Sequence, residues 1–207
     1  MIPEKIKAKH SPMSPKAVKP PVGSFRPSEE LVEVVDDRDR PIAVMSLAET
    51  HRQRLYHRSV FVLVYDREDR LYLQRRAKTK SSYPGCFDLS ATGHVQAFES
   101  RENAGIRELN EELGLSVPGL VRLASVAASP QTAFEFVTLF SAGHFLDKPR
   151  PNPEEVEDGF FAGPDDVEDL VEHFRDLLTP ALLHCHEQGL LFPMPKGLRP
   201  LEPHREG

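Results

Sequence analysis

Tryptophan is absent from this 207-residue chain, and cysteine is limited to Cys86 and Cys185. Two thiols cannot form the disulfide framework of a small secreted domain, so an apolar core must hold the fold and a reducing cytoplasm is the expected setting. No stretch approaches the roughly 20 apolar residues of a membrane span. The opening residues MIPEKIKAKH lack the apolar centre of a secretory signal. No membrane partner is therefore expected. An excess of positive charge is also missing: 26 Lys+Arg face 32 Asp+Glu, for a formal net charge of -6. That balance argues against a nucleic-acid partner, RNA-end hydrolysis included, although the N-terminal lysines keep a basic arm open. The length suits one enzyme domain rather than two.

Proline, by contrast, is abundant at 19 residues, about twice the usual ~5%. It gathers at both ends. Residues 1–30 carry Pro20-Pro21 and five lysines (Lys5, Lys7, Lys9, Lys16, Lys19) with no helical or strand period, and read as a solvated tail or a docking arm. Residues 191–207 are similar, although Leu191, Phe192, Met194 and Leu198 could pack on a domain spanning 31–190. Within that domain, LVEVVD (31–36) and IAVMS (42–46) flank a charged turn and read as a hairpin. A short helix capped by Ser46 follows over 47–55, then strands at 58–66, 71–76 and 87–91. A helix runs from about Ser100 to Leu113 and ends at Gly114. Strands at 121–129 and 133–142, a short one at Phe160-Phe161, and helices from Asp165 and Pro180 complete the pattern. Strands interleaved with helices point to an α/β fold with a mixed sheet between helical layers.

The chemistry concentrates in GHVQAFESRENAGIRELNEELGL (93–115). Glu108, Glu111 and Glu112 are spaced i, i+3, i+4 and share a helix face, opposite Ile106, Leu109 and Leu113. Such an acidic face is either solvated or a hard-cation site, because oxygen ligands suit Mg²⁺, Mn²⁺ or Ca²⁺. The full spacing decides between them. Gly93, Glu99, Arg107, Glu108, Leu109, Glu111, Glu112, Gly114 and Leu115 match every defined position of the Nudix box. A chance match is on the order of one in 10⁹ per start position. The chain resembles the Nudix hydrolases, and over about residues 31–162 it is similar to the subgroup sharing a fold layout with isopentenyl-diphosphate isomerase.

That resemblance implies a Nudix-type α/β/α sandwich and metal-dependent hydrolysis of a phosphoanhydride, with Mg²⁺, or Mn²⁺, neutralising the phosphate oxygens. Glu108 and Glu112 match the principal metal ligands, Glu111 the auxiliary one, and Thr92 a backbone-carbonyl ligand. Gly93, Glu99, Arg107 and Gly114 match positions that shape the box. Glu108 and Glu135 are the alternatives for the general base, although Glu135 could equally face outward from its strand. Arg75, Arg76 and Lys80 are candidate diphosphate clamps, and His94 a candidate substrate or metal contact or a structural histidine. His57 and Tyr83 are weaker candidates. Phe98 and Phe134 read better as core than as stacking platforms. The expected partner is a small-molecule diphosphate, a nucleoside diphosphate linked to another group by family habit, and a homodimer stays open. Two rivals remain: a nucleotide-sensing Nudix module without turnover, and the isomerase. The isomerase uses a cysteine directly before the Gly-His pair, where this chain has Thr92.

Overall fold

The computed structural model describes residues 30–145 and 148–192. The expectations for the two tails fall outside these residues, apart from Glu30, Leu191 and Phe192. The chain opens with the hairpin of β1 (Leu31–Val35) and β2 (Pro41–Ser46), then α1 (Leu47–Gln53). Ser46 caps α1 by accepting from the Glu49 N–H. β3 (His57–Tyr65), β4 (Leu71–Arg76), β5 (Phe87–Asp88) and β6 (Ala91–His94) lead into α2 (Arg101–Leu113). β7 (Val121–Val126), β8 (Glu135–His144), β9 (Val156–Ala162), α3 (Pro164–His173) and α4 (Pro180–Glu187) follow.

Seven strands form one mixed sheet in which β3 is central. It runs parallel to β8 and antiparallel to β4 and β6. β3 is buried on both faces, as expected for an almost uninterrupted apolar strand. Phe61, Leu63 and Tyr65 point to one side, where they meet Leu170 of α3, Leu182 of α4 and Leu191. Val62 and Val64 point to the other, against Leu109 and Leu113 of α2. Helices on both faces of a mixed sheet make the α/β/α sandwich the sequence implied.

Two hairpin turns use the same chemistry. In each, an aspartate side chain (Asp36, Asp66) accepts from backbone N–H groups two and four residues on, and from the Nε of the arginine four residues on. In each the fourth residue is an aspartate (Asp39, Asp69) at positive φ. Asx-type bonding of this kind supports a turn without glycine.

Several boundaries differ from the sequence reading. The 87–91 strand is split into β5 and β6, because Ser90 turns inward to donate to the Tyr72 carbonyl and accept from Val64 N–H. β8 starts at Glu135 rather than at residue 133, since Ala133 and Phe134 both adopt left-handed backbone. β9 is longer than Phe160-Phe161, because it zips along β4 from Leu71↔Ala162 to Arg76↔Val156. Gly105 lies where α2 crosses the sheet: an added Cβ would come within 2.6 Å of Leu120 Cδ1. Close packing thus offsets its propensity cost of up to ~1 kcal/mol.

Candidate active site

A cleft of about 1490 Å³ opens beside the sheet, lined from β3, β6, α1, α2, α4 and their loops. On one wall stands the box helix. Ser100 caps α2 by accepting from the Asn103 N–H, and Gly114 closes it at φ 63. Arg107 organises the loop before it: Nε and Nη2 bind Glu99 at 3.0 Å, and Nη2 also donates to the His94 carbonyl. Its Nη1 reaches Glu108 Oε1 at 2.6 Å and Glu111 Oε2 at 3.2 Å. Gly93 is required by contact, since a Cβ there would sit 2.0 Å from Glu108 Cδ.

The three box carboxylates do not share one environment. Glu108 and Glu112 are buried, whereas Glu111 is exposed. The helix is therefore not a solvated acidic face. Glu112 Oε2 accepts from Gln74 Nε2 at 2.9 Å and from the Thr92 N–H at 3.0 Å. Burial pushes the Glu108 carboxyl up to about 7, against the lowering pull of Arg107. Burial, and then the neighbouring Glu108 charge, push Glu112 up to about 8. Two desolvated carboxylates competing in this way form an oxygen-only donor set that a hard divalent cation would relieve.

A second cluster joins three residues that the sequence singled out, His57, His94 and Glu135, to one that it did not, His51. His51, His57, His94 and Glu135 bring one ligand atom each within 4.8 Å of all the others, a group able to hold a metal ion. Strand register builds it. His57 at the start of β3 pairs with Glu135 at the start of β8, and His94 at the end of β6 lies opposite Ser59 of β3. α1 adds His51, whose Nε2 is 3.1 Å from His57 Nε2. Glu135 Oε1 lies 3.5, 3.6 and 3.8 Å from the Nε2 atoms of His94, His57 and His51. Burial raises the Glu135 pKa, but hydrogen bonds from His57 and His94 outweigh it and hold the carboxyl well below its usual range. His94 is shifted upward: burial lowers it, and the Glu135 hydrogen bond and charge more than compensate. Three imidazoles and one carboxylate suit a borderline divalent ion such as Mn²⁺, Co²⁺ or Zn²⁺. His51 and His57 are six residues apart across a helix–strand junction, a spacing that carries no metal signature in sequence.

The cationic candidates divide. Arg76 and Lys80 line the cleft. Arg76 pairs with Asp88 at 3.1 Å, and Lys80 pairs with Glu155. Arg75 is not among the cleft-lining residues. It is one strand position away on the opposite face, over the Phe87 ring and 3.7 Å from Glu157. His184 also lines the cleft, and its Nε2 is buried without a hydrogen-bond partner.

Backbone strain also gathers here. Among the described residues, Asp39 and Asp69 are the turn aspartates at positive φ. The other non-glycine residues at positive φ, Arg54, Tyr83, Phe98, Ala133 and Phe134, all line the cleft. Each such residue costs about 1–3 kcal/mol, which the rest of the fold must outweigh.

Comparison with known proteins agrees with this architecture. The Nudix domain family model matches residues 55–182. An uncharacterized Nudix hydrolase of Pseudomonas aeruginosa is 42% identical over 86 residues, 42% of this chain and 51% of the relative, so the match spans about half of that protein. An isopentenyl-diphosphate Delta-isomerase of Photorhabdus laumondii is 32% identical over 135 residues, 63% of this chain and 75% of the relative. A solved structure from Deinococcus radiodurans superposes with a TM-score of 0.59 at 24% identity, over 72% of this chain and 100% of that chain, a likeness of fold. With a family match over more than half its length and a box complete at every defined position, the chain belongs to the Nudix hydrolase family.

Proposed function

We propose that this protein hydrolyses a phosphoanhydride bond in a small diphosphate-containing substrate, a nucleoside diphosphate linked to another group, using Mg²⁺ held by the box. The observation that supports this reading best is the buried pair Glu108–Glu112 in the cleft wall. Glu108 and Glu112 would hold the ion, with Glu111 at the rim and the Thr92 carbonyl close by. When bound, Mg²⁺ supplies charge neutralisation at the phosphate oxygens and activation of water.

The remaining work falls to this chain's own side chains. Arg107 fixes Glu108 through Nη1 and the box loop through Glu99. Arg76 and Lys80 would turn toward the diphosphate, exchanging Asp88 and Glu155 for phosphate oxygens. Glu108 has a second role open to it, as proton acceptor for the attacking water. Its pKa, pushed up to about 7 by burial, suits a base working near neutrality. Glu135 suits that role less well, because its histidine neighbours hold it ionised. It fits better as the carboxylate of a second metal centre with His51, His57 and His94, the last of which then orients metal rather than substrate.

The isomerase-like relative favours a second reading, isomerisation of isopentenyl diphosphate. Thr92 stands against it, having no thiol, and Cys86 lies six residues earlier outside the cleft lining. The test is a panel of dinucleoside polyphosphates, nucleotide sugars, NADH, coenzyme A, nucleoside triphosphates and isopentenyl diphosphate, with Mg²⁺, Mn²⁺ or EDTA. Metal-dependent phosphate release from one class is expected. Isomerisation without release supports the second reading. Nucleotide binding with silence throughout makes the chain a sensor module.

A further inference from the structure

We propose that Phe98 is a stacking platform for the planar heteroaromatic ring of the substrate, so that the cleft reads a nucleobase as well as a diphosphate. The inference rests on the phosphoanhydride reading above and assigns a residue to the base of that substrate. Phe98 lines the cleft, yet it is 86% exposed. It also sits at φ 68, a conformation a bulky side chain rarely adopts. A phenyl ring that is solvated and mounted on strained backbone gains nothing for the fold at either count. Strain of this kind persists where the surroundings over-determine it, and it clusters at ligand sites.

The surroundings here are rigid. Gln96 bridges to Val32, and the Ala97 N–H donates to the Leu31 carbonyl. Glu99 closes the loop by accepting from the Gln96 N–H, and Arg107 clamps Glu99 through two nitrogens. Phe98 is thus presented on a braced loop with little freedom left to lose on binding, which is what preorganisation requires. The other aromatics at positive φ on the cleft are less free. Phe134 is half-buried, with its ring centroid 6.3 Å from Tyr56. Tyr83 is 51% exposed and borders the Arg76–Lys80 side. Among the described residues, no ring contact involves Phe98, so its face is open to a ligand ring. Gln96 lines the same rim and offers an amide to the edge of a stacked base.

The chain contains no tryptophan, so Phe98→Trp introduces a single tryptophan at the platform, read by excitation that spares the four tyrosines. AMP, GMP and CMP are titrated with Mg²⁺ against ribose 5-phosphate, which lacks the base, and inorganic pyrophosphate, which presents the phosphoanhydride alone. Quenching by the nucleotides alone is expected. Phe98→Gly removes the ring and relaxes the backbone together. It should weaken AMP binding by about 5- to 150-fold, leave pyrophosphate binding within about twofold, and hold or raise the thermal midpoint. Unchanged AMP affinity in Phe98→Gly overturns the proposal. So does a lowered midpoint with joint loss of AMP and pyrophosphate, which would make Phe98 a support for the loop. A native dimer that dissociates in Phe98→Gly, with AMP binding intact, would assign the ring to a second copy and also overturns it. Pyrophosphate binding without AMP binding defeats this inference alone, whereas failure of both ligands on the native protein defeats the functional reading with it.

Discussion

The two centres on the cleft are built in opposite ways. The carboxylate centre is written within five residues of one helix, where the 3.6-residue period makes neighbours of Glu108 and Glu112. The histidine centre is drawn from α1, β3, β6 and β8, and exists only once β3 has paired with both β6 and β8. They differ in electrostatics too. Glu108 and Glu112 are held against their charge, with pKa values pushed up to about 7 and 8. Glu135 is held with its charge by the imidazoles around it. A cation would settle the charge of the first centre, whereas the second is already partly neutralised by its own members.

The largest expected effect comes from breaking the first centre. Glu112→Gln should reduce turnover by orders of magnitude while the circular dichroism spectrum and melting temperature hold, since it replaces a strained buried carboxylate with an isosteric amide. Native-like turnover would remove Glu112 from the metal set. The second centre is broken by His57→Gln. Metal analysis after reconstitution with Mn²⁺ or Zn²⁺ should show the histidine-bound ion weakened by about 100-fold or more, beyond the roughly 10–100-fold cost of losing an outer partner. Glu112→Gln should keep that ion. If both variants lose the same ion, the two clusters are one centre.

A subtler change sharpens the separation. Gly93→Ala drives a methyl group to 2.0 Å from Glu108 Cδ, so Glu108 must move. A cost of about 1–3 kcal/mol is expected from overpacking, with turnover lost and the histidine-bound ion retained. Thr92→Ala is its control, because Thr92 meets Glu112 through its backbone N–H. Near-native turnover is expected there, and a severe loss with intact fold would mean that the hydroxyl takes part.

What the sequence disclosed follows the same division. The box helix with its Ser100 and Gly114 ends is local and was legible, and the sandwich followed from the family resemblance that the contiguous box carries. Glu111 was grouped with Glu108 and Glu112 by spacing, but the helix rotates it into solvent, and spacing cannot report which edge of a stripe is covered. Arg75 and Arg76 were indistinguishable as neighbours until β4 alternated them to opposite faces. His51 offered no signal at all, because its ligand partners are supplied by strand register 6, 43 and 84 residues away in the chain. Phe98 read as core because large apolar residues are most often buried, and its exposure is a property of the loop around it.

The contrast between carboxylates held against and with their charge extends to the turn at Asp66, where the smallest effect is expected. Burial raises the Asp66 pKa, but the Arg70 side chain and backbone bonds outweigh it, leaving it below the ordinary 3.8. A lowered folded pKa means the folded state prefers the ionised form. The stabilisation is therefore complete above the unfolded value and is lost as pH falls through the folded one. Arg70 remains 48% exposed, so water screens the pair and little stability is at stake. Asp66→Asn should be slightly less stable than the native protein in urea at pH 7, and the gap should narrow as pH falls below the ordinary 3.8. Glu112 runs the other way in EDTA: its raised pKa makes the metal-free protein lose stability as pH rises toward 8. Glu112→Gln should reduce that slope, to which Glu108 also contributes below about 7, and Asp66→Asn should not. A slope shared by both variants would mean that the opposing environments of the two carboxylates do not govern the stability of the fold.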